Sequence, residues 1–142
     1  MKKFVSLLLA MLMVLSLVAC GGDGGQSNTN SGDKVIKIGV FEPLSGDSAS
    51  GGKKEVLGMQ YANSETPTVE LNGETYKVEL VLSDNGSSTD KAPSAASDLV
   101  SKGVSLVLGT YGSGAAMAGG PKFGEAGIAA IGVTCTNPNV TA

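Results

Sequence analysis

Val35-Ile36-Lys37-Ile38-Gly39-Val40-Phe41 carries four β-branched residues and a single charge. A run of that length and character reads as a strand buried on both faces, the kind found inside parallel sheets. Pro43 and Gly46 end it. Everything downstream can be read by asking whether more such strands follow and what separates them.

They do follow. From Gly52 to Asn63, Val56, Met59 and Ala62 recur at helical spacing, with Lys53, Lys54 and Glu55 expected on the exposed side. Pro67 breaks that helix. Val69-Glu70-Leu71-Asn72-Gly73-Glu74 places Asn-Gly between short alternating runs, a hairpin signal because both turn residues tolerate positive φ. Tyr76 to Leu82 is a second main strand. Ala92, Ala96, Leu99 and Val100 mark another helix, closed by Lys102 and Gly103. Val104 to Leu108 is a third strand. A glycine-rich turn, Gly109 to Gly114, leads into a helix at Ala115 that Pro121 is expected to interrupt. Ile128 to Val133 is the fourth strand. Strands alternating with helices predict an α/β fold, a partial doubly wound parallel sheet covered on both faces.

Upstream lies a segment of another kind. Met1-Lys2-Lys3 is followed by an apolar run from Phe4 to Val18, broken only by Ser6 and Ser16. It is shorter than the roughly 20 apolar residues that span a bilayer and suits a secretory signal peptide. Leu17-Val18-Ala19-Cys20 resembles a bacterial lipobox, which implies a lipoprotein signal peptide over 1–19 and lipidation of Cys20. The alternative is a cysteine buried at the end of an uncleaved helix. Against it, residues Gly21 to Asp33 contain no apolar side chain and read as a flexible tether, so residues 20–33 join an anchor to a body at 34–142. Two acyl chains hold a protein on a membrane where one does not.

Composition removes several function classes. The chain has a net charge of −3 and no histidine or tryptophan, and its ten basic residues are all lysine. Loss of Lys2 and Lys3 with the signal would make it still more acidic. Nucleic-acid binding is not expected of such a chain. Without histidine it lacks the commonest general base and metal ligand. With Cys20 lipidated, only Cys135 remains as a thiol, so neither a disulfide nor a thiolate metal site is expected.

In open parallel sheets ligands bind beyond the carboxyl ends of the strands. Three polar loops fall there: Glu42 to Gly52, Thr110 to Gly114, and Thr134 to Thr141. The middle loop feeds a helix start, where unpaired N–H groups attract an anion and Ser113 adds a hydroxyl. Ser113 could equally be a helix N-cap serving its own backbone. The third loop could be a ligand contact or a polar connection turned by Asn137-Pro138. Cys135 reads as a small packing residue.

Enzyme and cofactor motifs fail on spacing. Tyr111 and Ala115 stand where a nucleophile elbow needs glycines. Met117 stands where a dinucleotide fingerprint needs its third glycine. No catalytic residue, metal or cofactor is predicted.

Four blocks together resemble the substrate-binding lipoproteins of branched-chain amino acid transporters, the leucine/isoleucine/valine-binding family of type I periplasmic binding proteins. They are Ile36 to Gly46, Tyr76 to Asp84, Val107 to Ser113, and Ile131 to Thr141 with its Thr-x-Thr-Asn-Pro-x-Val-Thr run. The resemblance implies a clamshell of two α/β lobes, of which residues 34–142 would be the N-terminal, truncated part of the first. It implies that Ser113 binds a ligand α-carboxylate, that Thr136 binds the carboxylate or the ammonium, and that the Thr134 carbonyl accepts from the ammonium. Tyr111 would border the side-chain pocket. Gly51 departs from the pattern, since many family members carry an aromatic there.

The function so implied is a non-enzymatic, extracytoplasmic receptor that delivers an amino acid to the permease subunits of an ABC transporter. A lipoprotein sensor of the same fold is the alternative. An exported hydrolase is a third, disfavoured by the missing base.

Overall fold

The computed structural model describes residues 34–141. The expected signal peptide, Cys20 and the tether lie outside the described residues.

β1 (Val35–Glu42) occupies the middle of a five-stranded sheet because it is apolar on both faces. α1 (Ala49–Glu65) follows it, then β2 (Thr68–Leu71) and β3 (Glu74–Asp84) form a hairpin. α2 (Ala92–Ser101), β4 (Leu106–Leu108), α3 (Ser113–Glu125) and β5 (Ala129–Ile131) complete the alternation. Pro138–Thr141 form a 3-10 turn.

The strand order is β2-β3-β1-β4-β5. β1 pairs in parallel with β3 and β4, and β4 with β5; β2 alone is antiparallel. The hairpin turn at Asn72-Gly73 has φ of 53° and 77°, the doubly positive geometry that its sequence favours. The chain moves from β1 to β3 on one side, then crosses β1 to reach β4. The connections therefore diverge between β1 and β4, where such sheets open a crevice.

Side-chain alternation sorts the faces. Phe41, Val81 and Val107 point toward α2 and α3 and join Leu99 and Phe123 in the core. Burial of each large side chain here stabilises the fold by roughly 1.5–3 kcal/mol. Phe41 and Phe123 meet edge to face, with centroids 5.4 Å apart. α2 lies close to the sheet because its buried positions include Ala92, Ala95 and Ala96. In α3, Ala115, Gly119 and Phe123 are buried at four-residue spacing.

Three expectations need correction. Pro121 lies inside α3 and does not interrupt it. Gly120 before it has no Cβ to collide with the proline ring, and Pro121 is exposed, so water can serve the freed carbonyl. The second face of the sheet is covered only in part. Between α1 and the sheet runs a groove of about 600 Å³, lined by Ile38, Met59, Ala62, Val78, Leu80 and Leu108. Glu55, expected in solvent, has both carboxylate oxygens buried. Gly52 explains this, because a Cβ there would stand 2.3 Å from the Pro43 carbonyl oxygen. The first turns of α1 press on the end of β1 and carry Glu55 inward.

Candidate functional site

The loops after β1, β3, β4 and β5 meet at one edge of the sheet, and hydrogen bonds join them. Asp84, at the end of β3, accepts the N–H groups of Leu44, Ser45 and Gly86 through Oδ1 at 2.8–3.2 Å. Burial alone would raise its carboxyl, but the hydrogen bonds from Ser45, Gly86 and Leu44 outweigh it and hold Asp84 below the usual aspartate range. Ser87 accepts the Ser48 N–H at 2.9 Å and donates to the Ser45 carbonyl at 3.0 Å. The loop before α1 is thus stitched to the loop before α2.

Deeper in the edge, Asn85 and Thr110 are fully buried and paired, with Asn85 Nδ2 donating to Thr110 Oγ1 at 2.7 Å. Gly109 precedes Thr110 in the β4 turn with φ of 122°, and a Cβ there would stand 2.3 Å from the Phe41 carbonyl oxygen. Only glycine fits that close approach. Cys135 donates from Sγ to the Thr110 carbonyl at 3.4 Å, so it tethers the β5 loop as well as packing.

Ser113 is the first residue of α3, and Gly112, with φ of 115°, is the N-cap. The N-cap alternative for Ser113 is therefore not realised. Its Oγ instead accepts the N–H groups of Thr136 and Asn137, both at 3.2 Å. A serine hydroxyl has two lone pairs and one proton. With both lone pairs engaged, the proton is left to donate. The start of α3 has no side-chain cap, so its first N–H groups lack a side-chain acceptor there.

The structure brings Ser113 and Thr136 together. Thr134 and Thr136 are exposed, and their side chains make no hydrogen bond among the described residues. Among the described residues Ser113 bonds Thr136 and Asn137 and makes no hydrogen bond with Thr134. Tyr111 is 43% exposed, and its ring covers Gly51, where a Cβ would stand 2.7 Å from the ring. Tyr111 therefore fills the space in which a side chain at position 51 would otherwise stand.

The sequence did not reveal the role of Glu42. Its side chain is fully buried, with Oε2 accepting the Tyr111 N–H at 2.8 Å. Burial pushes its carboxyl from 4.5 to about 8; the Tyr111 N–H opposes this, and Glu55, by hydrogen bonding and charge, adds to it. An acid closing an apolar strand was the available signal, and it read as the start of a loop.

This arrangement can hold a carboxylate with a hydroxyl and backbone amides. Among the described residues no cluster of three or more His, Cys, Asp or Glu side chains could hold a metal ion.

Comparison with known proteins points the same way. The periplasmic binding protein family model matches residues 35–142. The chain is similar to the leucine-binding protein LivK of Thermotoga maritima, at 33% identity and a TM-score of 0.69 over 75% of this chain and 30% of that one. It is similar to LivJ of Streptococcus pneumoniae, solved in complex with isoleucine, at 32% identity and a TM-score of 0.67 over 76% and 31%. A solute-binding protein of R. palustris in complex with benzoate matches at 30% identity and a TM-score of 0.59, over 69% and 27%. A search of curated proteins finds no match. The chain spans about 30% of the length of the solved structures it matches. The chain belongs to the periplasmic binding protein family.

Proposed function

We propose that this chain is part of a solute-binding receptor that presents a small carboxylate, a branched-chain amino acid first among candidates, to an ABC transporter. The observation that carries the reading is Ser113, whose hydroxyl has both lone pairs occupied and its proton free beside an uncapped helix start. Isoleucine and benzoate, the ligands of two relatives, share a carboxylate and little else. Ser113 would donate to that carboxylate from its hydroxyl and its backbone N–H. Thr136 would add a hydroxyl, the Thr134 carbonyl would accept from an ammonium, and Tyr111 would wall the side-chain pocket over Gly51.

Family membership places the protein outside the cytoplasm. Within that compartment, the lipobox-like Leu17 to Cys20 supports cleavage after residue 19 and anchorage through lipidated Cys20. The tether over residues 21–33 would let the receptor reach the permease subunits.

On residues 34–142 alone the site is open to water, which competes for each donor. Clamshell closure excludes that water and strengthens the contacts. Affinity of this chain for leucine, isoleucine or valine is therefore expected at millimolar or weaker, about −4 kcal/mol. Titration followed by 15N NMR tests this, with shifts expected at the Ser113, Gly114 and Thr136 amides. Micromolar binding would contradict the open half-site, and unmoved amides at saturating ligand would contradict the site itself.

A further inference from the structure

Glu42 and Glu55 stand beside the candidate site without serving it directly. Glu42, on β1, is fully buried, and Glu55, on α1, is half-buried. Both lie on the face of the sheet that α1 covers, and Glu55 bears on the Glu42 carboxyl by hydrogen bonding and charge. Glu42 Oε1 and both Glu55 oxygens are buried without a donor among the described residues. Buried polar atoms left unpaired are costly, and two adjacent buried carboxylates are costlier. One proton relieves the charge repulsion and pairs two of the three atoms, Glu42 Oε1 and one Glu55 oxygen.

We propose that Glu42 and Glu55 share a single proton, with the Glu42 Oε1–H donating to the Glu55 carboxylate, and that this pair positions the Gly109–Ser113 turn through the Tyr111 N–H held on Glu42 Oε2. The more deeply buried partner is the neutral one, and the pair carries one negative charge. Gly109 packs directly on Glu42, since a Cβ there would stand 2.7 Å from Oε1, so the turn has little room to move while the pair is intact. The elevated Glu42 carboxyl accords with this arrangement.

Other charges near Glu42 are accounted for. Asp84 on β3 is its register partner, but its Oδ1 is committed to the amides of Leu44, Ser45 and Gly86. β4 and the turn after it, residues 106–113, bring no charged side chain; the Tyr111 phenol ring lies against Gly51. Glu55 is the charge that bears on Glu42.

That the turn receives ligand rests on the solute-binding reading; the pair itself does not. The test is NMR of the isotope-labelled chain without ligand, following the Glu42 carboxyl carbon and the Tyr111 amide from pH 4 to 9. In the wild type both are expected to move together with a midpoint near 8. Glu42→Gln keeps an acceptor for Tyr111 and a donor for Glu55, so its Tyr111 amide is expected to stay at the wild-type low-pH position throughout. Glu55→Gln supplies a donor in place of the shared proton, so the Glu42 midpoint is expected to fall by at least tenfold in proton affinity. A Glu42 carboxyl already ionised at pH 6, or a Tyr111 amide that titrates in Glu42→Gln as in the wild type, would overturn the proposal. Failure of leucine to shift Ser113 would instead overturn the binding reading and leave the pair standing.

Discussion

The hydroxyl of Ser113 accepts the backbone N–H of Thr136 across 23 residues of sequence, at 3.2 Å. That bond joins the turn after β4 to the loop after β5 and sets the direction of the remaining hydroxyl proton. In Ser113→Ala the exposed Thr136 and Asn137 amides turn to water, so the fold should lose less than about 1 kcal/mol. Ligand affinity should fall by about 1.5–3 kcal/mol, the worth of a hydrogen bond to a charged group. Denaturation and ligand titration of the same variant separate the two effects.

Asn85 behaves differently because it is enclosed. It donates to Thr110 Oγ1 at 2.7 Å and accepts the Ser87 N–H at 3.1 Å. Asn85→Ala strands a buried hydroxyl and an N–H, at an expected cost of about 1–3 kcal/mol in urea denaturation.

Two helix glycines should respond with opposite signs. A Cβ on Gly119 would stand 2.7 Å from the Phe41 ring, so Gly119→Ala overpacks the core by about 1–3 kcal/mol. Nothing lies within 4 Å of a Cβ on Gly58, so Gly58→Ala should stabilise α1 by about 0.5–1 kcal/mol. Thermal melting of the two variants checks both.

Stability should peak at mildly acidic pH. Unfolded Glu42 releases its proton near 4.5 and the folded protein keeps it to about 8, so raising the pH through that interval favours unfolding. Asp84 is lowered from 3.8, so its contribution is present above 3.8 and lost as the pH falls through its folded value. Urea midpoints should therefore be highest at about pH 4–5 and fall on both sides.

Cys20→Ser should abolish incorporation of labelled palmitate and release the protein from membranes, as read by fractionation of expressing cells. Labelling that persists would overturn Cys20 as the lipidated residue, and wild-type protein that takes up no label would remove the lipid anchor from the functional reading.

Much of the fold was legible because the strands are chemically blunt. Val35 to Phe41 could be little else, and Asn72-Gly73 specified its turn by φ alone. Where polarity and structure part company, the reading failed. Ala49 to Gly52 looked like loop and form the first turn of α1, because Gly52 lets that turn sit on Pro43. The strands expected at 104–108 and 128–133 shorten to three residues each. That the loops of Ser113 and Thr136 share an edge was legible from the strand order, while the roles of the two residues came only from the family resemblance; the structure joins them through Ser113 Oγ and the Thr136 N–H. Glu42, Glu55, Asn85 and Thr110 were not, since nothing local distinguishes a polar residue bound for the interior from one bound for water. Their burial is set by α1, which folds back on β1, and by the β4 turn, which reaches β1 and β3 only after the chain has crossed the sheet.

The sheet has two unlike borders. β2 is short, carries Glu70 and is bent back by its hairpin, which discourages any newcomer. β5 ends the other side with Ala129, Ala130 and Ile131 all exposed, and among the described residues no strand pairs with its outer rim. A bare rim of amides and carbonyls accepts an incoming backbone with little regard to its side chains. Growth of the sheet, by more of the same polypeptide or by a stranger, has one direction open to it, away from the hairpin and past Ile131.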